Sequence, residues 1–391
     1  MHAIGPDQLH GYAHRQVGDH SPNFPGADRQ PMGALEGAND PFRTSVEKSG
    51  AGMSAYQAKD EDVTEAAVNW LHGTGTRKVS NGEPFCLSVG LMLPHPPYVA
   101  DQEAFDHYDG KVPEPALGRD DLPGAFHEWW RKARDIEDVS AEETSRARTA
   151  YWALVHRMDE MIGRVLDALD AIGAMDDTLI VYASDHGDHL GERGLWWKHT
   201  FFDESAKVPL IMRLPGVLPA GETRDQVVSL IDLSQTMLEA IGAQQLPNAD
   251  GASFWDVAAD AAAAWKDEVF CEYCTDAVPS WTSGRAVQQR MIRSGPWRLL
   301  VFDSDPPLLF DLESDPEERF DRSTDPCCAK IFEALMERLL QNWDPHEIAG
   351  QMQERRAEKD ILADWAKRVQ PEGSLIWQFA EDTNFLGSSD Y

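Results

Sequence analysis

The sequence has 391 residues, 42% of them hydrophobic and 26% charged, and a formal net charge of −32. That length can bury a large core and predicts two domains, or one large domain with an appendage. The charge argues against a nucleic-acid partner, because phosphate binding needs a basic face; no run approaches 18 apolar residues, so no segment is expected to span a membrane.

Residues 1–58 are rich in Gly, Pro, Asp and His and read as a long loop region, a type of segment that is usually functional in a compact domain. The opening MHAIGPDQ is not a signal peptide, and a cytoplasmic location is expected. A periplasmic or secreted location stays open for a chain that starts partway through a fold. A helix is predicted over about 60–72. PFCLSVGLML, residues 84–93, is a nearly continuous apolar run of the kind buried parallel strands show, and PHPPY then turns the chain out of the sheet.

The clearest helix runs from about 141 to 172. Ser140 and Glu143 form a capping box, Leu154, Met158, Met161, Val165 and Leu169 recur at helical spacing, and Gly173 is a natural stop. Further strands are predicted at TLIVYAS (178–184) and VPLIMRLP (208–215), and a strand and helix near 227–242. Alternating strands and helices with short links give an α/β fold around a mainly parallel sheet flanked by helices, over residues 1–264. From about 265 to 345, short antiparallel strands and a helix at about 328–343 predict a smaller C-terminal α+β subdomain. The tail, 346–391, is polar and then aromatic-bearing, and is the expected place for a homo-oligomeric contact.

Five cysteines form no disulfide framework. Cys271 and Cys274 make a C-x-x-C, but nothing nearby completes a metal site, so two half-buried thiols at a strand end is the better reading. The strongest chemical signal is Asp185-His186-Gly187, directly after an apolar strand. In open sheets ligands bind at the carboxyl ends of strands, and a carboxylate with an imidazole followed by a glycine that admits close backbone approach suits a metal site. A buried Asp capping the next turn is the bland alternative.

The surrounding run, SDHGDHLGERGLWWKHTFFDESAKVPLIMRLPG, resembles the sulfatase family of the alkaline phosphatase superfamily. VGLMLPHPPY, the 141–172 helix with its following strand, and RMIRSGPWRLLVF with LFDLESDPEE resemble that family too. MHAIGPDQLHGY resembles the G-K-x-H region of its choline-sulfatase-like branch, and the likeness covers roughly residues 2–345. The resemblance implies that Asp185 and His186 are metal ligands, that Lys198 contacts sulfate, that His95 serves the leaving oxygen and that His2 helps release the product. It implies a divalent metal, Ca²⁺ ahead of Mn²⁺, and a formylglycine nucleophile. Trp196 and Trp197 beside Lys198 are candidates for an aromatic wall around a cationic substrate; packing residues beneath the substrate loop is the bland alternative.

The departures from the family pattern are specific. The G-K-x-H lysine, the Asp pair ending the family's first strand, and Cys-x-Pro-x-Arg are all missing; none of the five cysteines has Pro two residues on. Ser294-Gly295-Pro296-Trp297-Arg298 imitates the serine form of the nucleophile motif, but strand and turn follow it where a helix N-terminus would hold the anion. Asp120-Asp121 has no apolar strand before it and reads as a solvated turn. The expected function is therefore hydrolysis of a small-molecule sulfate ester by a metal-assisted formylglycine mechanism, in a fragment inactive alone. A phosphonate or phosphodiester hydrolase and a non-catalytic anion-binding remnant are the alternatives. Asp185, His186, Lys198 and His95 are expected to converge at the carboxyl end of the sheet, with His2 near them, and a missing first strand is expected to leave the sheet with a gap or an open edge.

Overall fold

The computed structural model describes residues 9–21, 28–121, 124–276, 284, 286–302, 305–371 and 375–387. After the short helix α1 (Arg43–Glu47), strand β1 (Gly50–Met53) leads into α2 (Ala55–Trp70), continued by a π turn and α3 (Thr76–Ser80). Ser54 caps α2 by accepting from the Gln57 N–H, so the helix begins five residues before its apolar pattern does. β2 (Val99–Ala100), α4 (Gln102–Tyr108) and α5 (Ala125–Ala133) follow, and then α6 (Ala141–Ala171). The predicted capping box is present: the Ser140 side chain accepts from the Glu143 N–H while the Glu143 carboxylate accepts from the Ser140 N–H.

β3 (Ile180–Ala183) runs into the loop that carries Asp185 and His186, the helical turn α7 (Asp203–Ala206) closes that loop, and β4 (Leu210–Arg213), α8 (Leu230–Ala240) and α9 (Trp255–Ala259) come next. The C-terminal part is a four-stranded antiparallel sheet in sequential order, β5 (Glu268–Cys274), β6 (Gln288–Ser294), β7 (Trp297–Val301) and β8 (Leu308–Asp311). It is followed by α10 (Ala329–Leu340), α11 (Pro345–Val369) and β9 (Phe385–Leu386). The α/β class and the C-terminal α+β subdomain are as expected. The sheet is mixed where a mainly parallel one was expected: β1 pairs parallel with β2 but antiparallel with β9, and β3 pairs antiparallel with β4.

Residues 84–93 explain much of that difference. Phe85, Leu87 and Val89 are half-buried while Cys86, Ser88 and Gly90 are exposed, the period-2 alternation of a strand. Yet among the described residues this segment pairs with no strand. The alternation fits the predicted strand, but among the described residues no ladder accompanies it.

One core joins the two parts of the chain. Trp130, Leu195, Trp196, Trp197, Phe201 and Phe202 pack with Met291, Leu300, Phe302 and Phe310 of the C-terminal sheet. The opposite face of that sheet, including Ile292, Leu299 and Leu309, packs on Leu335 and Leu339 of α10. The described tail residues fold back in cis: Asn384 accepts from the Ala55 N–H, and the Trp377 N–H donates to Asp19. No helix among the described residues is long and apolar enough to cross a membrane.

Candidate functional site

Two segments deliver the predicted residues to one place. β3 ends at Ala183, and Asp185 and His186 follow at once. The extended run 84–93 ends at Leu93, and His95 follows across a turn in which the His95 N–H donates to the Met92 carbonyl. The His95 and His186 rings meet edge to face with centroids 6.1 Å apart. Lys198 Nζ lies 2.7 Å from His186 Nε2, and Asp185 Oδ2 lies 3.7 Å from the same nitrogen. Asp185, His186, Lys198 and His95 thus converge, as the sequence predicts. His2 lies outside the described residues.

Hydrogen bonds fix the histidine tautomers. His186 Nδ1 is 2.9 Å from the Gly187 carbonyl, and His95 Nδ1 is 2.8 Å from the Pro96 carbonyl. A carbonyl only accepts, so each Nδ1 carries hydrogen and each Nε2 keeps a lone pair. Burial, and then the Lys198 charge, push His95 down to about 3, so its ring is neutral at ordinary pH. Burial also lowers Lys198, while Asp185 and Asp188 oppose that and help keep the ammonium charged.

Gly187 meets the requirement that the sequence suggested, though the backbone it approaches is the protein's own. A Cβ there would stand 2.1 Å from the Glu204 carbonyl oxygen, and the Gly187 N–H donates to the Ser205 carbonyl at 2.8 Å. This stitch ties the start of the 185–206 loop to its end. Between them the backbone takes positive φ at Leu190, Arg193, Trp197 and His199, a conformation costly for such residues unless the surroundings enforce it.

Asp188 does much of the enforcing, and sequence reasoning missed it. One carboxylate oxygen accepts from the Leu190 and Trp197 N–H groups, at 3.0 and 2.9 Å. The other accepts from the Tyr98 hydroxyl at 2.6 Å. The bond to Tyr98 joins the Lys198 loop to the turn that carries His95. The only hint in the sequence is a second acid, in D-H-G-D, three residues after Asp185; its partner Tyr98 is ninety residues away.

The two tryptophans are placed in the core and not at the opening. Trp196 is 1% and Trp197 4% exposed, and Trp197 Nε1 donates to the Ser45 hydroxyl at 2.9 Å. They anchor the Lys198 loop from below, the packing alternative. Around His95 stand Tyr56, with a ring centroid 5.9 Å away, and then His20 and Phe379, 4.9 and 6.2 Å from Tyr56. Residues 294–298 form the turn between β6 and β7, and Arg298 is buried against Asp203 and Glu318. Asp120 and Asp121 sit on an exposed helical turn, and Cys271 and Cys274 are free on β5.

As a metal centre the described residues do not suffice. Asp185 and His186 offer two donors, and the lone pair of His186 Nε2 already faces the Lys198 ammonium. No group of three or more His, Cys, Asp or Glu side chains that could hold a metal is present among the described residues, whereas calcium takes six to eight oxygens.

A family model described as Sulfatase matches residues 9–243, more than half of the chain. The chain belongs to the sulfatase family. A second model, described as N-sulphoglucosamine sulphohydrolase, C-terminal, matches residues 191–344. The choline-sulfatase of Rhizobium meliloti (strain 1021) is 32% identical over 326 residues, which cover 80% of this chain and 61% of that protein. Arylsulfatase K of Mus musculus is 29% identical over 275 residues, 65% of this chain and 48% of that one. This sulfatase-family chain therefore spans about half to three fifths of the length of these curated relatives. Among solved structures, a phosphonate monoester hydrolase from Silicibacter pomeroyi superposes with a TM-score of 0.60 at 28% identity, covering 72% of this chain and 60% of that one.

Proposed function

We propose that the cluster of Lys198, His186, Asp185 and His95 is the sulfate-ester-binding part of a sulfatase site. The observation that carries this reading is the Lys198 ammonium, held in a half-buried loop 2.7 Å from His186 Nε2, with the His95 ring next to that of His186, at the ends of two strand-like segments. A sulfate monoester brings one negative charge spread over three oxygens. Lys198 neutralises a non-bridging oxygen, and partial removal from water strengthens that contact. His95, its ring beside that of His186, is placed to hydrogen-bond the leaving oxygen. Asp185 holds positive charge in the cluster.

In this reading the chain supplies binding contacts, and turnover requires groups that its described residues do not offer. A divalent ion would supply charge to polarise the ester; calcium is the first choice, and the two donors present leave its shell to be completed from elsewhere. Nor does the sequence carry Cys-x-Pro-x-Arg, from which formylglycine would arise. The purified chain, after exposure to a formylglycine-generating enzyme and calcium, is expected to show no hydrolysis of an aryl sulfate above the solvent rate. Sustained turnover that Lys198→Ala abolishes would overturn the division between binding and turnover. The likeness to a phosphonate monoester hydrolase supports a second reading, because sulfate and phosphonate esters share tetrahedral geometry. Tighter binding of a phosphonate monoester than of a sulfate monoester would favour it.

A further inference from the structure

His95 is carried by a short turn that is fixed from outside itself. The His95 N–H donates to the Met92 carbonyl at 2.9 Å, which closes a β-turn over 92–95. The Met92 N–H, at the start of that turn, donates to Asp60 Oδ2 at 2.7 Å, and the Leu93 N–H donates to the same oxygen at 2.8 Å. In an extended strand successive N–H groups point to opposite sides. Two neighbouring groups that converge on one atom therefore mark the place where the chain leaves extended geometry. Such a pair of N–H groups makes a concavity that an anion fills.

Here the anion is a side chain of α2. Asp60 is fully buried. A carboxylate in that setting carries a desolvation cost that an apolar residue of the same size would not. What the carboxylate does, and an apolar residue cannot, is hold both amides at once. Its second oxygen, Oδ1, accepts no hydrogen bond among the described residues, so the two amides account for the hydrogen bonding of the side chain there. α2 also reaches His95 a second time. Tyr56 lies one turn before Asp60 on the same face of the helix. Its ring centroid stands 5.9 Å from that of His95, and its hydroxyl accepts from Asn39 Nδ2 at 3.1 Å. One helix thus holds the His95 turn by its backbone and flanks the His95 ring.

We propose that Asp60 is a positioning residue for His95: its carboxylate sets the 92–95 turn and so fixes where the imidazole stands relative to His186 and Lys198. The inference rests on the proposed function, in which His95 meets the leaving oxygen. Asp60 itself touches no substrate; it acts through two amides and one turn. Groups aimed at a reacting atom have to be held to about 0.5 Å, and a turn whose first two amides lose their acceptor is not so held.

The full chain and its Asp60→Asn and Asp60→Leu variants test it. Asparagine still offers one oxygen to both amides; leucine, of similar size, offers none. Two quantities are read: the imidazole nitrogen NMR signals of His95 without ligand, identified by their loss in His95→Gln, and the calorimetric affinity for an aryl sulfate monoester. Asp60→Asn is expected to keep both as they are in the unsubstituted chain. Asp60→Leu is expected to shift or broaden the His95 signals and to weaken binding about tenfold or more, with its helical circular dichroism retained. A folded leucine variant with the His95 signals and the affinity unchanged would make Asp60 a purely structural group and overturn the proposal. So would an asparagine variant that loses both. In the unsubstituted chain the Met92 and Leu93 amides are expected to resist hydrogen exchange as the His95 amide does; free exchange at either one overturns the proposal even if the leucine variant does not fold. No binding of the aryl sulfate by the unsubstituted chain would count against the sulfate reading alone, because the His95 signals still report on Asp60.

Discussion

Four of the residues singled out in the sequence meet in one cluster, and each is tied to a local pattern. Asp185 and His186 follow an apolar strand, His95 follows another, and Lys198 sits a fixed distance into the same loop. For the two tryptophans the burial fits the packing alternative, which the loop sequence could not decide; Ser45, which receives Trp197, is 152 positions away. Gly187 is the residue on which loop closure depends. Gly187→Ala is expected to destabilise the fold by ~2–4 kcal/mol, since its methyl would meet a backbone carbonyl with no room to move; a chemical-denaturation change below ~0.5 kcal/mol would refute that. Asp60 gives a pH prediction. Burial raises its carboxyl to about 6, against the opposing Leu93 and Met92 N–H groups and Lys59. A raised carboxyl holds a proton in the folded state that the unfolded chain has already released. Its stabilisation is thus full below the unfolded value of 3.8 and is lost as pH rises toward 6. Asp60→Asn is expected to flatten the fall in stability between those limits by about 3 kcal/mol, and an unchanged pH profile would contradict the assignment.

Elements with internal signals were legible, and those that depend on distant partners were not. α6 carries its cap, its apolar stripe and its stop within its own sequence. Ser140→Ala is expected to cost about 1 kcal/mol in thermal or chemical unfolding, and a loss below measurement would show that the box contributes nothing. The 84–93 run shows strand alternation but does not say whether a neighbour pairs with it. Residues 345–369 read as polar tail because their helix is mostly exposed: Ile361, Leu362, Trp365 and Val369 stay open to solvent, so no buried stripe marked it. Asp344 caps that helix by accepting from the His346 and Glu347 N–H groups, with Pro345 in its first turn, and this signal could have found it.

At the scale of the whole molecule, the alternation of strand and helix patterns carried the α/β class, and the change of pattern near residue 265 the C-terminal subdomain, while sheet order had to come from coordinates. Strand pairing depends on which segments meet, and the relatives are longer than this chain. The chain carries a charged cluster clamped by Asp188 and Tyr98, on a loop held by two buried tryptophans. The claim that this cluster binds a sulfate ester is tested most directly by calorimetric titration of the chain and its Lys198→Ala variant with an aryl sulfate monoester. Loss of one charge-assisted contact, ~1.5–3 kcal/mol, predicts affinity at least tenfold weaker in the variant. Equal affinity in the two proteins would contradict the account.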